Sequence, residues 1–128
     1  MAERSFSVTV ENLTGKQWRR SNLSLPHGEW SNEGGLVPPE NIPPVSINTD
    51  GDAQPGVIFF EGESDGFLTG VEGYVDYTSD GVGTIKIHFD NPWAGGNTFT
   101  AVGPGSLRLD WGNASGNQAS VTLTIRKR

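Results

Sequence analysis

Apolar and polar residues alternate with period two in six separate stretches of this chain, and no stretch sustains a helical 3.6-residue period. Phe6, Val8 and Val10 form the first such set, and Leu23 and Leu25 the second. Val45 and Ile47 form the third, followed by Ile85, Ile87 and Phe89. Leu107, Leu109 and Trp111, then Val121, Leu123 and Ile125, complete the series. Period two with β-branched residues marks strands with one wet face and one buried face. Turn-forming clusters separate them at residues 32–35, 50–52, 79–81, 94–97, 103–105 and 112–116. The 128 residues include 18 glycines and 8 prolines, so the chain is broken too often for long helices. These features predict a single domain over residues 1–128, an all-β, antiparallel two-sheet β-sandwich. The first and last alternating segments are expected to pair as neighbours. Residues 34–44, with four prolines, read as a loop, and Trp111 reads as core.

Charge narrows the function. The formal net charge is −6, and no Lys or Arg occurs across residues 21–85. That stretch carries Glu29, Glu33, Glu40, Asp50, Asp52, Glu61, Glu63, Asp65, Glu72, Asp76 and Asp80. Nucleic acid is therefore not an expected partner, because binding a polyanion requires clustered cations. With no cysteine, the chain has no disulfides, thiol chemistry or Cys-based zinc site. No apolar run approaches the ~18 residues of a membrane-spanning helix. The first twelve residues lack the apolar core of a signal peptide, so the protein leaves the cell unconventionally, stays inside, or has had its signal removed; secretion or release without a classical signal is the expectation carried forward.

The residues that could carry chemistry are few. His27 and His88 are the two histidines, one in a turn-like segment and one on the polar face of a strand. Neither belongs to an HExxH or GxSxG arrangement, so no enzyme activity and no cofactor is expected. Asp50–Gly51–Asp52 begins like a calcium loop, but Gln54 and Pro55 break the pattern. Asp50 and Asp52 remain weak metal candidates, and a plain turn is the simpler reading. The aromatic residues say more. Trp30 and Trp93 stand among turn residues, where a large ring is hard to bury, and such rings suit a membrane interface or a sugar face.

Four collinear segments then become informative together: residues 12–18 (NLTGKQW), 25–34 (LPHGEWSNEG), 70–77 (GVEGYVDY) and 88–100 (HFDNPWAGGNTFT). In this order and spacing they resemble the aegerolysins, small acidic β-sandwich proteins with an aegerolysin/actinoporin-like fold. The most specific piece is the turn Asp90, Asn91, Pro92, Trp93, followed by Gly95, Gly96, Asn97 and Thr98. A GxxGxxD segment, Gly70, Gly73 and Asp76, precedes it. The resemblance implies binding to a membrane sphingolipid, either sphingomyelin with cholesterol or ceramide phosphoethanolamine. It also implies a perforin-type protein partner, in a two-component pore-forming toxin with haemolytic or insecticidal action. The related lectins of similar fold make carbohydrate binding the alternative. Carried over by position, the lipid contacts fall on Trp30, Phe89, Trp93 and Phe99, with Thr69 just before the GxxG segment; Glu72 and Asp90, carboxylates within the same motifs, are candidate partners for a headgroup ammonium. Thr69 replaces an acidic residue that tunes headgroup choice in the family. Asn91 replaces a frequent Cys, and Gly95 and Gly96 replace a frequent basic residue. From the physics of the loops, Phe67 and Tyr74 join the candidates as rings able to reach the interface, and Glu29 as an ammonium partner.

Overall fold

A computed structural model describes residues 3–128. In chain order the strands are β1 (Ser5–Asn12), β2 (Trp18–His27), β3 (Glu29–Trp30), β4 (Asn41–Ile42), β5 (Ser46–Ile47) and β6 (Ala53–Gln54). They continue with β7 (Gly56–Glu63), β8 (Val71–Ser79), β9 (Gly83–Asn91), β10 (Thr98–Val102), β11 (Leu107–Trp111) and β12 (Gln118–Lys127). Two five-stranded sheets run in the orders β11-β12-β1-β7-β3 and β10-β9-β8-β2-β4, and β5 and β6 form a small separate hairpin. The β-sandwich read from the alternation is the observed fold. Every ladder is antiparallel except one: β1 and β12 are neighbours, as expected, but pair in parallel, with Val8 opposite Val121. Their parallel run places the chain's two ends at opposite ends of the sandwich.

The core lies between the sheets and follows the alternation. Phe6, Val8 and Val10 of β1 face Val75, Tyr77, Ile85, Ile87 and Phe89 of the second sheet, with Val121, Leu123 and Ile125 alongside. Trp18 is fully buried, and its indole N–H donates to Thr14 Oγ1 at 3.3 Å, so the polar edge of the ring is satisfied. Tyr77 is likewise buried and donates its hydroxyl to the Pro39 carbonyl at 2.6 Å. Burial raises its phenol above the ordinary value.

Three expectations are corrected, and one strand goes unpredicted. The proline-rich stretch 34–44 contains a short strand, β4, because Ile42 is fully buried and pairs with Trp18. The third alternating set belongs to the β5–β6 hairpin, where Ile47 is exposed rather than buried. Trp111 is not core: it lies half-exposed at the end of edge strand β11 and meets Phe99 edge-on, centroids 5.6 Å apart. Strand β7 escapes the period-two reading because Val57, Ile58, Phe59 and Phe60 are all apolar. Only Ile58 and Phe60 of these point inward.

Candidate functional site

At one end of the sandwich four connections meet: the β2–β3 turn at Gly28, residues 64–70, residues 92–97 and residues 112–117. The start of β1 lies among them, since Ser5 pairs with both Glu63 and Gln118. Local sequence explains why the loops close on one another. A Cβ on Gly70 would stand 2.7 Å from the Asn91 carbonyl oxygen and 2.9 Å from the Trp93 nitrogen, so only glycine lets residues 66–70 lie against the 91–93 turn. Gly73, three residues on, leaves the space that the Phe89 ring fills. The GxxG spacing thus brings one loop to another and seats a core ring.

Asn91 anchors the turn from beneath. It is buried, and its amide group donates to the carbonyls of Ser5 (2.9 Å), Gly116 (3.2 Å) and Asn117 (2.9 Å). The start of β1 and the 112–117 loop are thereby tied to one side chain. Above it, the N-terminal segment works as a strap. Arg4 donates to the Trp93 carbonyl at 2.9 Å, and its guanidinium lies 4.4 Å from the Trp93 ring centroid. Glu3 accepts the Leu68 amide at 2.9 Å. Ser64 Oγ accepts the amides of Glu3 and Arg4 at 3.1 and 3.0 Å. The strap therefore joins residues 64–68 to the Trp93 turn.

This end carries exposed apolar side chains. Phe67 is 79% exposed, Leu68 is half-exposed with its backbone at φ 60°, and Trp93 is 36% exposed. Two cavities share Trp93 as a wall. One, about 330 Å³, is lined by His27, Gly70, Glu72, Asp90, Pro92 and Trp93. The other, about 410 Å³, is lined by Arg4, Gly95, Gly96, Asn97 and the 114–117 loop. The first cavity is acidic, and the second offers a guanidinium and a glycine-rich backbone.

The acidic side has a defined proton chemistry. Glu72 and Asp90 stand opposite each other on β8 and β9. Glu72 bonds His88 Nε2 at 2.8 Å, accepts the Tyr74 hydroxyl at 3.3 Å and lies 4.0 Å from His27. The His88 bond holds its carboxyl below the ordinary value. Partial burial, and then the negative Glu72, push Asp90 upward. The pair thus holds one firmly ionised and one reluctantly ionised carboxyl.

The expected site residues are sorted by this geometry. Trp93, Asp90 and Glu72 are brought together at one cavity. Thr69 sits beside them, but its hydroxyl is engaged by the Gly66 carbonyl at 2.9 Å. Phe89 is corrected: at 0% exposure it is a core ring, packed 5.3 Å from Phe6 under Gly73. Phe99 is corrected likewise, at 9% exposure and stacked on Phe6 at 6.0 Å. Both occupy inward positions of their strands, so neither ring reaches a headgroup. Trp30 is half-buried, its ring against Phe60 and Phe89 at 6.2 and 6.0 Å, closing the core rather than standing clear of it. Phe67 is the most exposed large apolar side chain among the described residues. Asp50 and Asp52 lie far along the chain in the exposed β5–β6 turn, where Asn48 Oδ1 accepts both their amides at 2.9 Å. Among the described residues no group of three or more His, Asp or Glu gathers as a metal site.

Sequence reading missed Glu3, Arg4 and Leu68. Their roles come from hydrogen bonds across more than sixty positions, which leave no local signal. The convergence of His27 and His88 on Glu72 depends on register. The alternation around His88 placed it on the polar face but could not supply its partner.

Comparison with known proteins agrees with this picture. The aegerolysin family matches residues 3–128. An uncharacterized protein of Dictyostelium discoideum is 33% identical over 122 residues, covering 94% of this chain; the chain spans only 10% of that relative's length. Three solved structures share the fold. RahU protein, crystallised with a TRIS molecule, superposes with a TM-score of 0.71 at 17% identity, covering 100% of this chain and 98% of its own. The lipid-binding protein Nakanori gives 0.67 at 16% identity, covering 100% of this chain and 73% of its own. IP-1A from Alcaligenes faecalis gives 0.67 at 11% identity, with 99% and 93% covered.

Proposed function

The chain belongs to the aegerolysin family, and from that premise we propose that it binds membrane lipid through the loop end, with a zwitterionic sphingolipid headgroup seated astride Trp93. One observation carries the reading: Trp93 lines both an acidic cavity and one holding Arg4, at an end that also carries the exposed Phe67 and Leu68. Phosphocholine and phosphoethanolamine have the matching layout, one cationic and one anionic group a few bonds apart. The ammonium takes the side of Glu72 and Asp90 and gains about 0.5–2 kcal/mol from the indole face. The phosphate takes the Arg4 side, where the guanidinium keeps donors beyond those given to Glu3 and Trp93. Phe67 and Leu68 enter the interfacial zone, each contributing up to about 1.5–3 kcal/mol if fully buried there. The strap and the Asn91 bonds keep the loops in place, so little ordering is required on binding.

Family membership and the lipid-binding protein of the same fold support this class of function, and they point to a non-enzymatic protein. Within the proposal the lipid is sphingomyelin with cholesterol or ceramide phosphoethanolamine. The protein acts peripherally, from outside the target membrane, as the recognition component for a perforin-type partner that forms the pore. No helix among the described residues is long and apolar enough to cross a bilayer.

The test is co-sedimentation with vesicles of sphingomyelin/cholesterol, ceramide phosphoethanolamine, phosphatidylcholine and phosphatidylserine. Selective pelleting with a sphingolipid, lost in Trp93→Ala and weakened in Arg4→Gln, is the expected result. Pelleting unaffected by either substitution would sink the assignment of this end. Lysis of vesicles by the pure protein would overturn the division of labour.

A further inference from the structure

Beside the loop end, the outer face of the second sheet carries side chains in register. Asn22, Asp76 and Lys86 stand in one row across β2, β8 and β9. Ser24, Tyr74, His88 and Thr100 stand in the next, extending to β10. The two rows line a groove of about 570 Å³. Within it the rings of Tyr74 and His88 stack nearly parallel, 4.4 Å apart at 17°, and Tyr74 is 40% exposed. Asp76 and Lys86 face each other across the ladder, yet among the described residues neither enters an ion pair.

We propose that this groove is a second binding site, for a neutral hexopyranoside. An outward polar face on a sheet is ordinary. A flat aromatic pair, a carboxylate and an ammonium side by side but not bridged to each other, and three hydroxyl or amide side chains in one cavity of ligand size are a more specific combination. A pyranose presents an apolar C–H face, which an aromatic ring covers, and equatorial hydroxyls around its edge. Those hydroxyls both donate and accept, as the groove does: Asp76 accepts, Lys86 donates, and Asn22, Ser24 and Thr100 do either. Charge selects a neutral sugar. Asp76 lies in the groove and Glu72 and Asp90 form the adjoining row, so sialylated and phosphorylated ligands are repelled. The Tyr74 hydroxyl, bonded to Glu72, fixes the platform against the headgroup cavity. A sugar borne on a lipid could therefore lie along the sheet while the rim contacts the membrane.

The experiment is a proton–nitrogen NMR titration of the whole chain with methyl galactoside, methyl glucoside and lactose at tens of millimolar. A second arm measures binding to phosphatidylcholine vesicles with and without lactosylceramide. The expected result is shifts confined to the strands around Tyr74, Asp76, Lys86 and Thr100 for at least one sugar. Tyr74→Ala should reduce them on the order of tenfold in affinity, and Tyr74→Phe, which keeps the ring, should retain most of the binding. Trp93→Ala should leave them intact, so failure here and failure of the lipid assignment are separable. A gain with lactosylceramide assigns the site to glycolipid. Sugar binding without that gain supports the site and assigns it to free or protein-linked glycans. No shift in the groove with any of the three sugars, or shifts that survive Tyr74→Ala in a folded protein, would overturn it.

Discussion

Two carboxyls on neighbouring strands illustrate how a side chain's surroundings divide its contributions. Glu72 is held below its ordinary value of 4.5 by the His88 bond. Its stabilising contribution is therefore present above that value and is lost as pH falls through the lowered one. Asp90 is shifted the other way from 3.8, by desolvation and by Glu72, so its ionised form opposes folding at neutral pH. Asp90→Asn should thus raise the urea midpoint at pH 7 while weakening binding to sphingomyelin vesicles, a trade expected of a residue kept for its ligand. The parent is expected to lose stability as pH falls below 4.5, and Glu72→Gln should flatten the part of that loss that Glu72 contributes. If both variants titrate like the parent, the carboxyl pair is not coupled as described. Asn91 shows a different kind of residue, one whose importance is wholly structural. Asn91→Ala leaves the Ser5, Gly116 and Asn117 carbonyls without its donor, and a loss of about 1–3 kcal/mol in urea unfolding is expected.

At the scale of elements, the loops matter through their mutual contact. Gly70→Ala forces residues 66–70 away from the 91–93 turn, displacing Phe67 and Leu68 relative to Trp93. Vesicle binding should fall several-fold with a smaller change in stability, whereas the double substitution Phe67→Ala, Leu68→Ala should reduce binding with no stability cost, since both side chains are exposed. Equal and large stability losses in both would mean that the rim is part of the core. The elements themselves were readable where one face is wet: β1, β9 and β12 follow the alternation that defines them, whereas β11 follows it at Leu107 and fails at Trp111, which turns out to be exposed. They were unreadable where both faces are apolar, as in β7, or where tertiary burial of a single Ile42 makes a strand of a proline-rich stretch. The site was legible to a similar degree. Trp93, Asp90 and Glu72 could be placed because turn chemistry and family spacing mark them. Phe89 and Phe99 were misplaced because they were carried over by position within the family motif, whereas here each follows its strand's inward parity. The strap of Glu3 and Arg4 is a contact between distant segments, and periodicity carries no trace of it.

The molecule as a whole has an electrical direction that the net charge of −6 conceals. Glu3, Asp65, Glu72 and Asp90 belong to the loop end, with Arg4 among them. Lys16, Arg19, Arg20, Arg126, Lys127 and Arg128 lie toward the opposite end, on the 13–17 loop, the start of β2 and the close of β12, offset in part by Glu40, Asp80 and, on the β5–β6 hairpin, Asp50 and Asp52. A neutral zwitterionic surface exerts no long-range pull on either end, so short-range contacts at Trp93, Phe67 and Leu68 decide the orientation. An anionic surface repels the loop end and attracts the opposite one, by on the order of 1 kcal/mol per basic residue near the membrane. Adding phosphatidylserine to sphingomyelin vesicles should therefore weaken the binding that depends on Trp93, and raising salt should restore it by screening. Any residual attachment to phosphatidylserine should be insensitive to Trp93→Ala and reduced by Lys16→Gln with Lys127→Gln. Were phosphatidylserine instead to strengthen binding through Trp93, the acidic rim could not be facing the bilayer, and the orientation proposed for the protein would have to be reversed.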